Sequence, residues 1–258
     1  ISSGDVVKNI EFEVTKNEIN VEAETSNLEL YLTSEGRSNN EDNPLMWGYK
    51  NIFATLTGFN LTSDGWKLDN KQNTVLRVSG NARVYIPFNI FEGDFRTNGK
   101  TIEFEFATRD VLNYDAEIIT AWSGGRGIKI TAQKALLKSE QSELFTQYKE
   151  NETVRIAFSV EKKAENRLLA IYINGIMSGV VQYPTDDDFS QSNPVGISIG
   201  SNDCTTDIYT IRVYSNNLTR YQLLDNWIAD TQDLTQLVER YERNNIFDDY
   251  GNITVSKI

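Results

Sequence analysis

The chain has 258 residues and sets 25 basic side chains against 37 acidic ones, a net charge of −12. That field repels phosphate backbones and anionic lipid unless a local basic patch intervenes, and the basic residues are scattered, so neither nucleic acid nor a membrane surface is expected as a partner. With no histidine and one cysteine, Cys204, the chain has no Ser-His-Asp triad, no Cys-His dyad, no imidazole metal ligand and no intramolecular disulfide.

No stretch approaches the roughly 20 apolar residues of a membrane span. Twelve Phe, twelve Tyr and four Trp are enough for a substantial core. A start at Ile1 without Met reads as a processed product or an excised fragment.

Ile10 to Val14 and Ile19 to Ala23 read as short strands around a Lys-Asn-Glu turn, followed by Leu28 to Leu32. Three such strands are too few to bury a core, so they form an annex or add to the edge of a larger sheet. The polar run from Thr33 to Pro44 is a loop and a candidate boundary. The strand pattern resumes at Ile52 to Phe59. It continues through Trp66 to Leu68, Thr74 to Val78 and Ala82 to Ile86, cut by Asp-Gly and Ser-Gly-Asn turns. Ile102 to Ala107, Glu117 to Trp122, Gly127 to Ala132, Leu144 to Tyr148 and Val154 to Val160 follow. Leu168 to Ile173 and Ile176 to Tyr183 are then joined by Asn174-Gly175, a pair suited to a type I′ hairpin turn. Val195 to Ile199 and Ile208 to Tyr214 complete the strands. Many short strands at close spacing predict a sandwich or barrel rather than a βαβ arrangement, and antiparallel strands with one buried face make an all-β sandwich the first expectation. Alternation puts Ile102, Phe104, Phe106, Ile156, Phe158, Val160, Ile171 and Ile211 inside, and Glu103, Glu105, Arg155 and Ser159 on the other face.

After Tyr214 the period changes. Thr219 and Gln222 form a capping box, with Leu218 and Leu223 as its staple, and Leu223, Leu224, Trp227 and Ile228 share one helical face. Asp233 and Gln236 signal a second helix over Leu234 to Tyr241. The expected division is an N-terminal strand annex (1–40), a sandwich (41–218), and C-terminal helices with a connector (219–258).

Several segments, in order, carry a resemblance: Asn73 to Phe88, Thr101 to Thr108, Thr153 to Glu161, Leu169 to Gly179 and Asp207 to Thr219. Over roughly Ile52 to Thr219 the chain resembles a laminin-G-like, concanavalin-A-like jelly roll. The flanks, Glu35 to Tyr49 and the Trp227 helix, resemble versions of that module in phage, prophage and bacterial surface proteins. The resemblance implies a non-catalytic module that binds carbohydrate or protein at the rim loops, often with Ca²⁺ nearby. It also implies a place in a virion or at the cell surface, among other domains of a larger protein. An alternative is a structural domain that meets only protein neighbours.

Candidate ligand residues follow from chemistry that suits sugars. Aromatic faces stack on pyranose C–H groups while Arg and Asn take hydroxyls, which singles out Trp47, Tyr49, Trp122, Arg126 and Asn202. Loop carboxylates of Asp186, Asp188 and Asp203 offer the hard oxygen ligands that Ca²⁺ takes. Glu103 and Glu105 lie on one strand face about 7 Å apart, a spacing that a retaining glycosidase could use. The third acid of the fold's glycosidases is absent, since Thr101 and Ala107 stand there, and a solvated outer face accounts for the pair.

Overall fold

The structure is a computed structural model that describes residues 21–91, 99–162, 167–183 and 195–231. Among the described residues, every strand pairing is antiparallel and the strands form two sheets. Sheet I runs β14 (Ile176–Tyr183), β13 (Arg167–Ile173), β12 (Val154–Lys162), β7 (Lys100–Arg109), β16 (Thr205–Tyr214), β5 (Thr74–Val78) and β4 (Gly65–Leu68). β1 (Leu28–Thr33) also pairs with β16, next to the stretch that holds β5. Sheet II runs β11 (Glu143–Gln147), β10 (Lys134–Lys138), β9 (Arg126–Thr131), β8 (Glu117–Ser123), β15 (Ile197–Ile199), β6 (Arg83–Ile86), β3 (Ile52–Thr57) and β2 (Met46–Tyr49). The pairings β7–β16 and β8–β15 join strands far apart in the chain, which makes this a jelly-roll sandwich rather than a meander.

Period-two alternation sets the faces. Ile102, Phe104 and Phe106 pair across strands with Phe158, Ile156 and Val154, and all eight residues expected inside lie in the central core. Asn174 and Gly175 have φ of 51° and 79°, as a type I′ turn demands. Two strands go beyond the sequence reading. In β2 only Trp47 is buried, on a polar stretch. β10 (KALLK) is rich in helix-favouring residues but is gripped on both sides by β9 and β11. Conversely, Val21 to Ala23 is not a strand. Val21 packs on Leu224, Trp227 and Ile228 instead. The expected strand at Ile10 to Val14 and the helix over Leu234 to Tyr241 lie outside the described residues.

Among the described residues, one helix, α1 (Arg220–Thr231), follows β16. Its N-terminus is closed by the expected box: Gln222 N donates to Thr219 Oγ1 (3.3 Å), and Thr219 N donates to Gln222 Oε1 (2.9 Å). Leu218 and Leu223 are buried in one cluster with Tyr214, Ala157 and Tyr172. The helix therefore lies on the outer face of sheet I. At the hairpin turn a Cβ on Gly175 would stand 2.8 Å from Leu224 Cα, so this glycine serves both the turn and the close approach of the helix.

A polar seam and cleft beneath the C-terminal helix

The outer face of sheet I corrects the expectation of a solvated surface. Glu103 and Glu105 point away from the sandwich core, yet they are only 1% and 4% exposed because α1 covers them. Glu105 faces Arg155 across strands and Glu103 faces Arg212, an arrangement that alternation makes unavoidable once β12 and β16 flank β7. The helix answers this charged face with its own polar groups. Asp230 forms ion pairs with both Arg155 and Arg212, including Arg212 Nη2 to Oδ1 at 2.7 Å, and Arg155 also holds Glu105. Asn226 Nδ2 donates to Glu103 Oε2 (2.6 Å) and Tyr214 Oη (3.0 Å), while its Oδ1 accepts from Glu24 N (2.7 Å).

Burial pushes the carboxyls of Glu103 and Glu105 upward, against the opposing pull of Arg155. At Asp230 burial acts in the same sense, but Arg155 and Arg212 overcome it and hold the carboxyl below its ordinary range. Three carboxylates stand against two guanidiniums, so the seam carries one excess negative charge until a proton enters on Glu103 or Glu105. Glu103 Oε1, Arg155 Nε and Nη1, and Trp227 Nε1 are buried without a hydrogen-bond partner among the described residues.

At the C-terminal end of α1 the same face opens into a polar cleft of about 700 Å³. It is bounded by Thr33 to Glu35 at and after the end of β1, the β4–β5 turn (Asp69 to Thr74), Arg109, the turn before β12 (Asn151 to Thr153), Asn174, and Trp227 with Ala229 to Thr231 on the helix. Glu105, Tyr209 and Thr210 form its floor. A β-bulge creates that floor. Ile208 pairs with Phe106 and Thr210 with Glu105, which leaves Tyr209 as the extra residue. The Tyr209 hydroxyl donates to Asp69 Oδ2 (2.9 Å) and accepts from Thr153 Oγ1 (3.2 Å). Asp69 also accepts from the backbone N–H groups of Lys71 and Asn73, both at 2.8 Å. Arg109 is bound to the buried Asp207 at 2.8 Å, which also holds Arg77 at 2.7 Å. The cleft thus presents hydroxyls, amides and carboxylates, with one indole in its wall.

The residues singled out in the sequence are not brought together. Trp47 is 1% exposed, sits in the core, and donates its indole N–H to Thr33 O (2.8 Å). Its ring packs edge-on against Trp66 at 5.8 Å, so it offers no face to a ligand. Tyr49, half-buried at the sheet II edge, contacts Tyr31 and Lys50. Trp122 lies under Lys129, whose Nζ is 4.7 Å from the ring centroid, and Arg126 is 3.6 Å from Glu140. Asn202 accepts from Arg83 Nη2 (2.6 Å). The β2 strand is four spacings from β8, about 19 Å. Gly200, just before Asn202, bonds to Ile118 O, about 13 Å along β8 from Trp122. Asp203 stands in a loop whose carbonyl accepts from Leu112 N. Asp186 and Asp188 lie outside the described residues, and among the described residues no group of three His, Cys, Asp or Glu side chains could hold a metal ion. The cleft was missed because its walls come from seven separated segments. The one sequence signal for it was Trp227 on a helix that had to dock.

No protein-family model and no curated protein sequence matches the chain. Solved structures do resemble it. The botulinum neurotoxin serotype D binding domain superposes with a TM-score of 0.54 at 15% identity, covering 88% of this chain and 54% of that one. The binding domain of botulinum neurotoxin DC in complex with SialylT gives 0.54 at 18% identity, covering 88% and 55%. The same domain in complex with rat synaptotagmin II gives 0.53 at 18% identity, covering 88% and 55%. At these identities the likeness is one of fold. The chain spans just over half the length of these neighbours.

Proposed function

We propose that this chain is a non-catalytic recognition module that binds carbohydrate in the cleft at the end of α1, as one domain of a larger phage tail or bacterial surface protein. The observation that carries the reading is the cleft itself. It is of ligand size and lined by short hydroxyl and amide side chains around a tyrosine and an indole, which is the chemistry a polyhydroxylated ring requires. One domain of similar fold, solved both with SialylT and with rat synaptotagmin II, supports recognition as the kind of task such a sandwich performs. Two of the cleft's carboxylates are held as acceptors, Asp69 by Tyr209 and two backbone amides and Asp230 by Arg155 and Arg212, whereas burial pushes Glu105 upward beside Arg155. Asp69 and Asp230, both held below the ordinary carboxyl range, are poorly disposed to give a proton to a leaving group, which weighs toward binding over glycoside hydrolysis.

A glycan array, run with and without Ca²⁺, tests this against the Asn70→Trp variant. Asn70 lines the cleft mouth on an exposed turn, so an indole there fills the opening without touching the core. The proposal expects binding by the wild type, loss in the variant at an unchanged melting temperature, and recovery of the bound oligosaccharide uncleaved. Silence across the array, or turnover of the glycan, contradicts it. Dependence on Ca²⁺ would bring in Asp203 together with Asp186 and Asp188.

The protein-contacting alternative has an observation of its own on sheet II. Met46, Phe53 and Tyr85 are each about half exposed on its outer face. The Phe53 ring lies over Gly48 and the Tyr85 ring over Gly196, where a Cβ would meet them at 2.5–2.6 Å. Loss of self-association or of neighbour binding in Phe53→Ser, with glycan binding intact, would assign that face to assembly.

A further inference from the structure

We infer that the cleft selects uncharged saccharides and rejects carboxylated or sulfated ones; this rests on the reading of the cleft as a glycan site. An anionic sugar needs an Arg or Lys free to meet it, and bidentate recognition by Arg is the usual device. The arginines here are already committed to protein carboxylates. Arg109 is bound to Asp207, and Arg155 and Arg212 are clasped by Asp230 beneath the cleft wall. Lys71, on an exposed turn, is the other basic side chain of the lining.

Carboxylates outnumber these groups at the opening. Glu35 and Glu152 are exposed at the rim, and neither has an acceptor role in the seam. Lys149 reaches Glu152 only at 3.8 Å, between two solvent-exposed side chains. An incoming carboxylate would therefore lose water, find no unpaired guanidinium, and meet the single charge of exposed Lys71 outnumbered by the carboxylates of Glu35 and Glu152. A neutral pyranose loses nothing by the same arrangement. Its hydroxyls can donate to the carboxylate oxygens and accept from the amides of Asn151 and Asn174. Unpaired or like charge set against a competitor is one of the two routes by which a site discriminates between ligands. The sialyl-bearing ligand of one fold neighbour would on this reasoning be excluded from this cleft.

The test is calorimetric titration with a neutral lacto-series oligosaccharide and its sialylated counterpart, in low salt and at physiological ionic strength. The expected result is at least tenfold weaker binding of the sialylated form at low salt. That gap should narrow as salt screens the rim, and narrow again in the double variant Glu35→Gln/Glu152→Gln. Equal or tighter binding of the sialylated form, abolished by Asn70→Trp, would overturn the charge selection while leaving the cleft as the glycan site. Binding by neither oligosaccharide, nor by any neutral glycan on an array, would overturn the reading beneath it. Neutral binding that survives Asn70→Trp would do the same.

Discussion

Asn226 and Arg155 illustrate how single residues decide whether α1 stays on the sheet. Asn226 is fully buried, and its amide bridges a glutamate from β7, a tyrosine from β16 and a backbone amide from the N-terminal segment. Arg155 is buried between Glu105 and Asp230, with its guanidinium carbon 5.7 Å from the Trp227 ring centroid. Removing one partner of a buried pair leaves an uncompensated charge, so Arg155→Met should cost about 3–5 kcal/mol in chemical denaturation. Glu103→Gln should behave differently. It removes the excess negative charge of the seam and keeps an acceptor for Asn226, so stability should hold or rise. Loss of stability comparable to that of Arg155→Met would mean that the seam needs all three carboxylates ionised. Gly175→Ala offends both the positive φ of the turn and the contact with Leu224, and should destabilise by more than about 1 kcal/mol.

The helix as an element is held by an apolar anchor and an ionic one. Trp227, Leu224 and Ile228 pack together with Val21, and truncating a buried Trp costs about 3–5 kcal/mol. Trp227→Ala should therefore raise hydrogen exchange throughout Arg220–Thr231 while the strands of sheet II keep their protection. The ionic anchor makes docking depend on pH in two opposed ways. Asp230 titrates lower in the folded protein than in the unfolded chain, so its contribution is present above about pH 4 and is lost as pH falls below that. Glu103 and Glu105 titrate higher in the folded protein, so ionising them near neutrality costs stability, and mild acidification relieves that cost. A melting profile should accordingly hold or rise from pH 7 toward 5 and then drop below pH 4. In Asp230→Asn the acid drop should shrink. A wild-type profile that falls steadily from pH 7 would contradict the assignment.

At the scale of the whole molecule, what could be read from the sequence and what could not divide along a physical line. Strands such as Thr101 to Thr108 and Val154 to Val160 announce themselves because alternation is local, and the Asn174-Gly175 turn because two residues suffice to specify it. Trp47 misled because a tryptophan in a polar stretch looks exposed, whereas pairing with β3 turns it into the core. Glu103 and Glu105 misled because alternation tells which side of a sheet a residue faces but not what later covers that side. The cleft was illegible for the same reason: Glu35, Asp69, Tyr209 and Asp230 meet only after the sandwich closes and the helix docks. The central claim is that this junction of sheet and helix is the working surface, and amide and indole chemical-shift mapping with a neutral oligosaccharide tests it most directly. The account predicts saturable shifts at Tyr209, Asn174, Asn151 and the Trp227 indole. Shifts gathered instead at Trp122 and Arg126, with the Trp227 indole unmoved, would contradict it.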